Sequence, residues 1–189
     1  MRKTLVVIDM QNDFIDGPLG TPEAVAIVEN VKAKIREYDP VNICFTQDTH
    51  GPNYLQTQEG RNLPVEHCIR GTKGWEIRED IWALVKGLEE EQTRIGEANG
   101  AVHRTVFEKP AFGSVELADT LRGFLKDDEL EIEIVGLCTD ICVVSNALLL
   151  KAYMPEVKIT VDSKCCAGVT PASHEAALET MKMCQINVM

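Results

Sequence analysis

The chain has 189 residues, enough for one stable domain with its own hydrophobic core, and we expect a single domain over residues 1–189. A hydrophobic content of 44% excludes an intrinsically disordered chain, and we expect no membrane-spanning segment. The formal net charge of −11 argues against nucleic acids and anionic membrane surfaces as partners, because both repel an acidic protein.

The cysteines and the first residues indicate a reduced, cytoplasmic protein. Met1, Arg2 and Lys3 lead directly into an apolar run that is too short for the hydrophobic region of a signal peptide. The chain has seven cysteines, an odd number. We therefore expect most of them to be core residues without disulfide partners.

Short apolar runs alternate with segments of helical periodicity along the chain. Residues 4–8 are apolar without alternation, as in a parallel strand that is covered on both faces. Five more strands are predicted at residues 41–46, 101–107, 132–135, 157–161 and 185–188. Helices are predicted at residues 22–38, 75–88, 115–126, 141–153 and 171–183. The alternation predicts a three-layer α/β/α Rossmann-like domain with a six-stranded, mainly parallel sheet.

The strand at residues 132–135 leads through a tight turn into a helix, with Cys142 in its predicted first turn. Thr139 and Asp140 precede this helix and are common helix-capping types. The first turn of a helix carries free N–H groups and partial positive charge, which favour a thiolate, so we expect a lowered pKa for Cys142. The layout resembles a nucleophile elbow with cysteine in place of serine. The alternative for Cys142 and for Cys138 is burial as apolar core residues.

Reactive side chains also lie at the ends of other predicted strands. Asp9 follows the first strand, Asp48 and His50 follow the second, and Lys109 follows the third. In parallel sheets, ligands bind outside the carboxyl ends of the strands. We therefore expect these side chains to lie together with Cys142.

Asp9 and Lys109 have side chains suited to acid–base and electrostatic roles. A partly shielded carboxylate at Asp9 can accept the thiol proton and later give it to a leaving amine. The alternative is a cap in a turn. Lys109 provides a fixed positive charge for the thiolate and the carboxylate, the alternative being a solvated surface lysine.

Asp48, His50 and His67 form a candidate metal-ligand set. One aspartate and two histidines supply three nitrogen or oxygen ligands and leave positions open for water or substrate. The set suits one divalent transition metal: zinc first, with iron or manganese as alternatives. Either Glu59 or Glu66 can add a carboxylate, and the sequence does not choose between them. The alternative is a pair of surface histidines in the long polar stretch over residues 47–73.

Nearly the whole chain resembles the isochorismatase-like cysteine hydrolase family, and within it the nicotinamidase or pyrazinamidase branch. Three motifs carry the resemblance: residues 6–14, Lys109 with Phe112, and residues 136–143. The resemblance implies the isochorismatase-like hydrolase fold. It also implies Asp9 as the catalytic acid and base, Lys109 as its charged partner and Cys142 as the nucleophile.

Further details of the site follow from the same resemblance. A cis peptide bond is expected between Leu137 and Cys138. The oxyanion is expected on the backbone N–H groups of Cys138 and Cys142, and the substrate against Phe14 and Leu137. The Asp-x-His pair and the later His-Cys of the nicotinamidase branch are matched by Asp48, His50 and His67-Cys68.

The chain departs from that branch just before the ligand histidine. A tryptophan–proline pair often stands there, and this chain has Val65 and Glu66 instead. A substrate-stacking aromatic is therefore missing at this place. The aromatic residues left as candidates are Phe14, Tyr54 and Trp75.

Three activities remain open from the sequence. The first is hydrolysis of nicotinamide to nicotinate and ammonia through a thioester. The second is hydrolysis of another small amide, a carbamoyl compound or a vinyl ether by a related enzyme. The third is a thiol redox or metal-binding protein that uses Cys138 and Cys142, although their spacing is not the usual redox Cys-x-x-Cys. Either hydrolase takes a small-molecule substrate, and the family resemblance implies a homo-oligomer.

Overall fold

A six-stranded parallel sheet is the central layer of the fold. The computed structural model describes residues 2–85, 106–125 and 129–189. The strands are β1 (Arg2–Ile8), β2 (Ile43–Asp48), β3 (Val106–Lys109), β4 (Leu130–Leu137), β5 (Lys158–Ala167) and β6 (Asn187–Val188). They pair in the order β3-β2-β1-β4-β5-β6, and every pairing is parallel. The predicted sheet is confirmed, with all rather than most of its strands parallel.

Helices cover both faces of this sheet. They are α1 (Asn12–Ile15), α2 (Pro22–Ala26), α3 (Val28–Ile35), α4 (Gln58–Asn62), α5 (Glu79–Trp82), α6 (Val115–Phe124), α7 (Val144–Tyr153) and α8 (Pro171–Met183). A π-helical turn, Thr139–Val143, precedes α7. Among the helices of the described ranges, none is both long and apolar enough to cross a membrane.

Strand β1 shows why the apolar runs lack alternation. Val6 and Ile8 pack into a core formed with helices α6, α7 and α8, whereas Leu5 and Val7 pack into a second core with α2, α3 and α5. All four side chains are fully buried. A central parallel strand is covered on both faces, so both sets of side chains are apolar. The three-layer α/β/α prediction is confirmed.

Two of the predicted helices differ clearly from the structure in their boundaries. The helix predicted for residues 22–38 is interrupted at Ile27 and ends at Ile35. The one predicted for residues 75–88 contains only Glu79–Trp82 as α-helix, and residues 86–88 lie outside the described ranges. The last helix is confirmed at Pro171–Met183, where Thr170 and Ser173 form a capping box.

The strand boundaries shift as well. The second strand was predicted over residues 41–46, and β2 starts at Ile43 and runs on to Asp48. Strand β5 continues to Ala167, beyond the predicted end at residue 161. The third strand was predicted from residue 101, but residues 101–105 lie outside the described ranges. Strands β2 and β3 run beyond their predicted ends at residues 46 and 107, so Asp48 and Lys109 are their last residues and lie side by side in the sheet register.

Candidate active site

Four polar side chains meet at the carboxyl edge of the sheet. Asp9 follows β1, Asp48 and Lys109 end β2 and β3, and Cys142 lies in the turn after β4. None of the four residues is more than 5% exposed. Ionisable side chains are rarely buried unless they are paired. The structure thus brings together the four side chains that the sequence predicts at the strand ends.

Lys109 is the hub of this cluster. Its Nζ atom lies 2.6 Å from Asp9 Oδ2, 3.3 Å from Asp48 Oδ1 and 3.3 Å from Cys142 Sγ. Burial lowers the pKa of Lys109, but the surrounding negative groups, Asp9 first, outweigh it and raise the pKa above its usual range. The lysine is thus a fixed positive charge, and the alternative of a solvated surface lysine does not hold.

Asp9 is held in an unusual backbone conformation. Its φ angle is 45°, in the left-handed region that few residues other than glycine adopt. Thr46 bonds to it twice: the hydroxyl donates to Asp9 Oδ1 at 2.6 Å and accepts from the Asp9 backbone N–H at 3.2 Å. Burial raises the pKa of the Asp9 carboxyl, while Lys109 and Thr46 oppose this increase.

Cys142 differs from the sequence prediction in both location and acidity. It lies in the π-helical turn, and α7 begins two residues later at Val144. The predicted lowering of its pKa is wrong: burial, followed by the nearby charge of Asp9, raises the thiol pKa well above its usual value. Only the charge of Lys109 acts in the other direction among the main influences. The thiol rests protonated and needs a base to become a nucleophile.

The turn before Cys142 begins with the predicted cis peptide bond, Leu137–Cys138. The carbonyl of Cys138 accepts hydrogen bonds from the N–H groups of Ile141 and Val143. Burial raises the pKa of the Cys138 thiol to about 12, which disfavours the thiolate that redox chemistry needs. All seven cysteines are free. The hypothesis of a redox pair therefore has no support in this geometry.

Four candidate ligand atoms converge beside this cluster. Asp48 Oδ2 lies 3.0 Å from His50 Nε2 and 3.6 Å from His67 Nε2. Glu59 Oε1 lies 3.5 Å from His50 Nε2 and 3.7 Å from His67 Nε2. All four ligand atoms lie within 4.8 Å of one another. The structure thus joins Glu59, and not the exposed Glu66, to the three predicted ligands.

The Nε2 atoms of both histidines face the other candidate ligand atoms. The His67 Nδ1 atom lies 2.8 Å from the carbonyl oxygen of Val65 and must donate to it, which leaves the lone pair of Nε2 facing the cluster. His50 Nε2 is buried and makes no hydrogen bond of good geometry among the described residues, although Asp48 Oδ2 lies 3.0 Å away. A buried nitrogen that lacks a partner is costly unless something else binds it. The donor set of two imidazoles and two carboxylates fits a divalent transition metal.

Tyr54 supports both imidazoles. Its fully buried ring lies 4.7 Å from that of His50 and 4.9 Å from that of His67, measured between centroids. Its hydroxyl donates to the carbonyl of Leu63. Tyr54 therefore packs behind the ligands instead of facing a substrate.

Gln11 fixes the long polar stretch to the end of β2. Its side-chain oxygen accepts from the Asp48 N–H at 2.7 Å, and its amide nitrogen donates to the Asp48 and Trp75 carbonyls at 2.9 and 2.7 Å. The Trp75 indole donates to the hydroxyl of Thr49. These bonds hold the segment that contains His67 against the sheet edge.

A small cavity of about 190 Å³ opens onto these groups. It is lined by Phe14, Leu19, Asp48, Glu59, Leu63, His67, Phe112, Cys138, Ile141, Cys142 and Val169. Phe14 thus lies where a substrate contact was predicted. Leu137 is fully buried in the core and does not line the cavity, so its contact with a substrate stays a prediction. Neither Tyr54 nor Trp75 belongs to this lining, and Phe112 is the second aromatic residue in it.

Thr46 was missed by the sequence analysis. Thr46 is the last residue of the strand predicted over residues 41–46, and threonine is a common strand residue, so it carries no signal by itself. The sheet register pairs Val7 with Phe45, which sets Thr46 beside the chain that leads to Asp9. Only that pairing of two distant strands could have identified it.

Comparison with known proteins shows similarity over the full chain. A family model described as an isochorismatase domain matches residues 3–189. A Bacillus subtilis protein described as an uncharacterized isochorismatase family protein is 30% identical over 183 residues, covering 94% of this chain and 93% of that protein. The Mycobacterium tuberculosis nicotinamidase/pyrazinamidase is 24% identical, covering 99% of this chain and 98% of the relative.

Solved structures agree with these matches. The crystal structure of Pyrococcus horikoshii pyrazinamidase in complex with zinc has a TM-score of 0.73 and 26% sequence identity. The similarity covers 100% of this chain and 99% of that one. A Bacillus subtilis structure described as nicotinamidase/pyrazinamidase has the same TM-score, identity and coverage. The likeness therefore extends over the residues of the site as well as the sheet.

Proposed function

The chain belongs to the isochorismatase family, and we propose that it is a cysteine-dependent amidohydrolase that converts nicotinamide to nicotinate and ammonia. The observation that carries the proposal is the contact of the Lys109 amino group with both Asp9 and Cys142. A base, a fixed cation and a thiol beside a small cavity are the groups that amide hydrolysis through a thioester requires. The family and its nicotinamidase relatives indicate a hydrolase of amide carbon–nitrogen bonds.

The first step forms the thioester. Cys142 Sγ attacks the carboxamide carbon while its proton passes to the carboxylate of Asp9, and the carbonyl π electrons move to oxygen. The oxyanion is held by the backbone N–H groups of Cys138 and Cys142. Losing one such donor typically slows a reaction by about 100- to 1000-fold. Asp9 then gives its proton to the leaving nitrogen as the carbon–nitrogen bond breaks, and ammonia departs.

The second step releases the acid. Asp9, again ionised, accepts a proton from a water molecule while the water oxygen attacks the thioester carbon. The carbon–sulfur bond breaks, and Asp9 passes the proton taken from water to the sulfur of Cys142, which restores both groups. Lys109 stays charged throughout and stabilises each anion that forms beside it.

The metal-ligand set completes the site. Asp48, His50, Glu59 and His67 would hold a divalent transition metal, which supplies a Lewis-acidic position at the wall of the cavity. Zinc is the metal in the Pyrococcus horikoshii structure. Asp48 also faces Lys109 through its other oxygen, so the charges of the two sites are linked.

The apolar part of the cavity supports a small aromatic ring as the remainder of the substrate. Phe14, Phe112 and Ile141 line it, together with Leu19, Leu63 and Val169. Aromatic rings pack favourably against such side chains. A flat heteroaromatic carboxamide matches a lining of this composition.

The test is ammonia release from nicotinamide by the purified protein, with metal content measured on the same sample. We expect rapid release and about one metal ion per chain, and no release by a folded Cys142→Ser variant. A folded, metal-loaded sample that is inactive on nicotinamide but releases ammonia from a carbamoyl compound would assign the activity to a related hydrolase. A homo-oligomer in the cytoplasm stays a prediction.

A further inference from the structure

We propose that Thr46 is a positioning residue that assigns the two oxygens of Asp9 to different tasks, so that all proton transfer runs through Oδ2. The inference rests on the proposed function and adds a residue that acts through Asp9. Thr46 is fully buried in β2 and lies in the strand next to the one that leads to Asp9.

The direction of the two hydrogen bonds follows from counting protons. The Asp9 backbone N–H can only donate, so it gives its proton to the Thr46 oxygen, at a distance of 3.2 Å. The single hydroxyl proton of Thr46 is then free for Asp9 Oδ1, which lies 2.6 Å away. The hydroxyl makes no other donation among the described residues, so a proton on Oδ1 would leave the hydroxyl proton without an acceptor, and Oδ1 is favoured as the accepting oxygen.

Oδ2 is in the opposite situation. It is buried, and it makes no hydrogen bond of good geometry within the described ranges, although Lys109 Nζ lies 2.6 Å away as an ion-pair partner. The same Nζ atom lies 3.3 Å from Cys142 Sγ, so Oδ2 and the thiol contact one ammonium group. Oδ2 is thus the oxygen that Thr46 leaves free, beside the ammonium group that also contacts the reacting sulfur.

The proton balance of the reaction uses only this oxygen. The S–H bond of Cys142 breaks and an O–H bond forms on Oδ2, while the sulfur electron pair forms the carbon–sulfur bond. When the tetrahedral intermediate collapses, the Oδ2 proton moves to the leaving nitrogen, which keeps the electron pair of the broken carbon–nitrogen bond. The Thr46 hydroxyl keeps its proton throughout and prevents the carboxylate from turning over.

The backbone of Asp9 adds to this role. A φ of 45° is uncommon for a residue with a side chain and persists only where neighbouring contacts hold it. The bond from the Asp9 N–H to Thr46 is one such contact. Thr46 therefore fixes both the backbone and the carboxylate of the base.

The test compares three variants. Thr46→Val keeps the shape of the side chain and removes the hydroxyl, whereas Thr46→Ser keeps the hydroxyl. Thr4→Val is the matched control, because Thr4 is also a buried strand threonine and its hydroxyl has no hydrogen-bond partner among the described residues. For nicotinamide we expect kcat to fall about 10- to 100-fold in Thr46→Val with KM within about twofold. Thr46→Ser and Thr4→Val should keep kcat within about threefold of the parent protein.

A second readout does not depend on the identity of the substrate. Iodoacetamide alkylates a thiol only as it loses its proton, and Cys142 lines the cavity, while Cys184 is exposed and serves as an internal reference. Thr46→Val should slow alkylation of Cys142 about tenfold and leave Cys184 unchanged.

The outcomes distinguish failure of the positioning role of Thr46 from failure of the proposed nicotinamide hydrolysis. Equal kcat and equal Cys142 alkylation in folded Thr46→Val and parent protein would overturn the inference. So would a Thr46→Ser variant as slow as Thr46→Val, since packing alone would then explain the loss; this comparison also decides the matter if the valine variant is poorly folded. Inactivity of the parent protein on nicotinamide counts against the proposed function, and the alkylation result still tests Thr46.

Discussion

The amino group of Lys109 lies 3.3 Å from the sulfur of Cys142. Burial and the charge of Asp9 raise the pKa of that thiol, and Lys109 is the close positive charge that opposes them. The thiolate, and not the thiol, is the nucleophile. The charge of Lys109 is therefore the close influence that favours the reactive form of Cys142.

Replacing Lys109 with methionine should raise the pKa of Cys142 further, because the remaining neighbour is negative. At a fixed pH the thiolate fraction then falls, so the pH profile of Cys142 alkylation by iodoacetamide should move to higher pH. Near neutral pH we expect a rate at least about tenfold lower. Lys109→Arg keeps the charge and is the control. Superimposable profiles for the methionine variant and the parent protein would contradict this assignment of charges.

Cys142→Ala should abolish ammonia release while leaving the fold intact. We expect a loss of at least about 1000-fold in kcat, since no other group can form the thioester. The change removes a single sulfur atom from a buried site, so the free energy of unfolding should fall by only about 1 kcal/mol. Cys138→Ala is the control, because its proposed contribution comes from its backbone N–H. Activity retained by the Cys142 variant, or lost by the Cys138 variant at equal stability, would overturn these roles.

The metal site offers a matched pair of glutamates in one segment. Glu59 Oε1 lies 3.5 Å from His50 Nε2, whereas Glu66 is exposed. Glu59→Gln should weaken binding of zinc about 10- to 100-fold and Glu66→Gln should not change it, while His50→Ala should lose the metal. Titration of metal-depleted protein with zinc measures all three affinities. Equal affinity in the two glutamine variants would remove Glu59 from the ligand set.

Acid should release this metal at a higher pH than an ordinary histidine site does. Burial lowers the pKa of His67, but the bond to Asp48 outweighs it and the pKa is raised. Protons therefore begin to compete for Nε2 above the usual histidine range, and binding weakens as pH falls through the raised pKa. Measuring zinc affinity at several pH values checks the direction. Affinity that is constant down to pH values well below the usual histidine pKa would contradict it.

Much of this site could be predicted because strand ends are visible in the sequence. The apolar run of β1 stops at Asp9, and parallel topology brings Asp48 and Lys109 to the same edge. Residues that act at strand ends therefore appear in the sequence as polar side chains directly after, or at the end of, apolar runs. The same logic placed His50 at this edge, whereas His67 was predicted from the Asp-x-His pattern with the long polar stretch, and Phe14 from the family resemblance.

The rest depends on contacts between distant segments. The raised pKa of Cys142 comes from burial and from Asp9, which lies 133 positions away in the chain, as their residue numbers show. Glu59 and Glu66 both lie in the long polar stretch over residues 47–73. Only the path of the chain through α4 decides that Glu59 is the one that faces His50. The apolar spacing in the π-helical turn is close to that of an α-helix. The sequence therefore predicts the start of α7 at residue 141, whereas α7 starts at Val144.

Alanine substitutions at two glycines should change the free energy of unfolding in opposite directions. Gly136 in β4 has a φ of 116°, and a Cβ atom there would lie 2.1 Å from the Ile8 carbonyl oxygen. Gly136→Ala must displace β1 next to Asp9 and should lower the free energy of unfolding by at least about 3 kcal/mol. Gly123 lies in α6, where a Cβ would meet nothing within 4 Å, so Gly123→Ala should raise it by about 0.5–1 kcal/mol. Urea denaturation of both variants measures the difference, and two values within about 1 kcal/mol of each other would show that β1 and β4 are not in close backbone contact at Gly136.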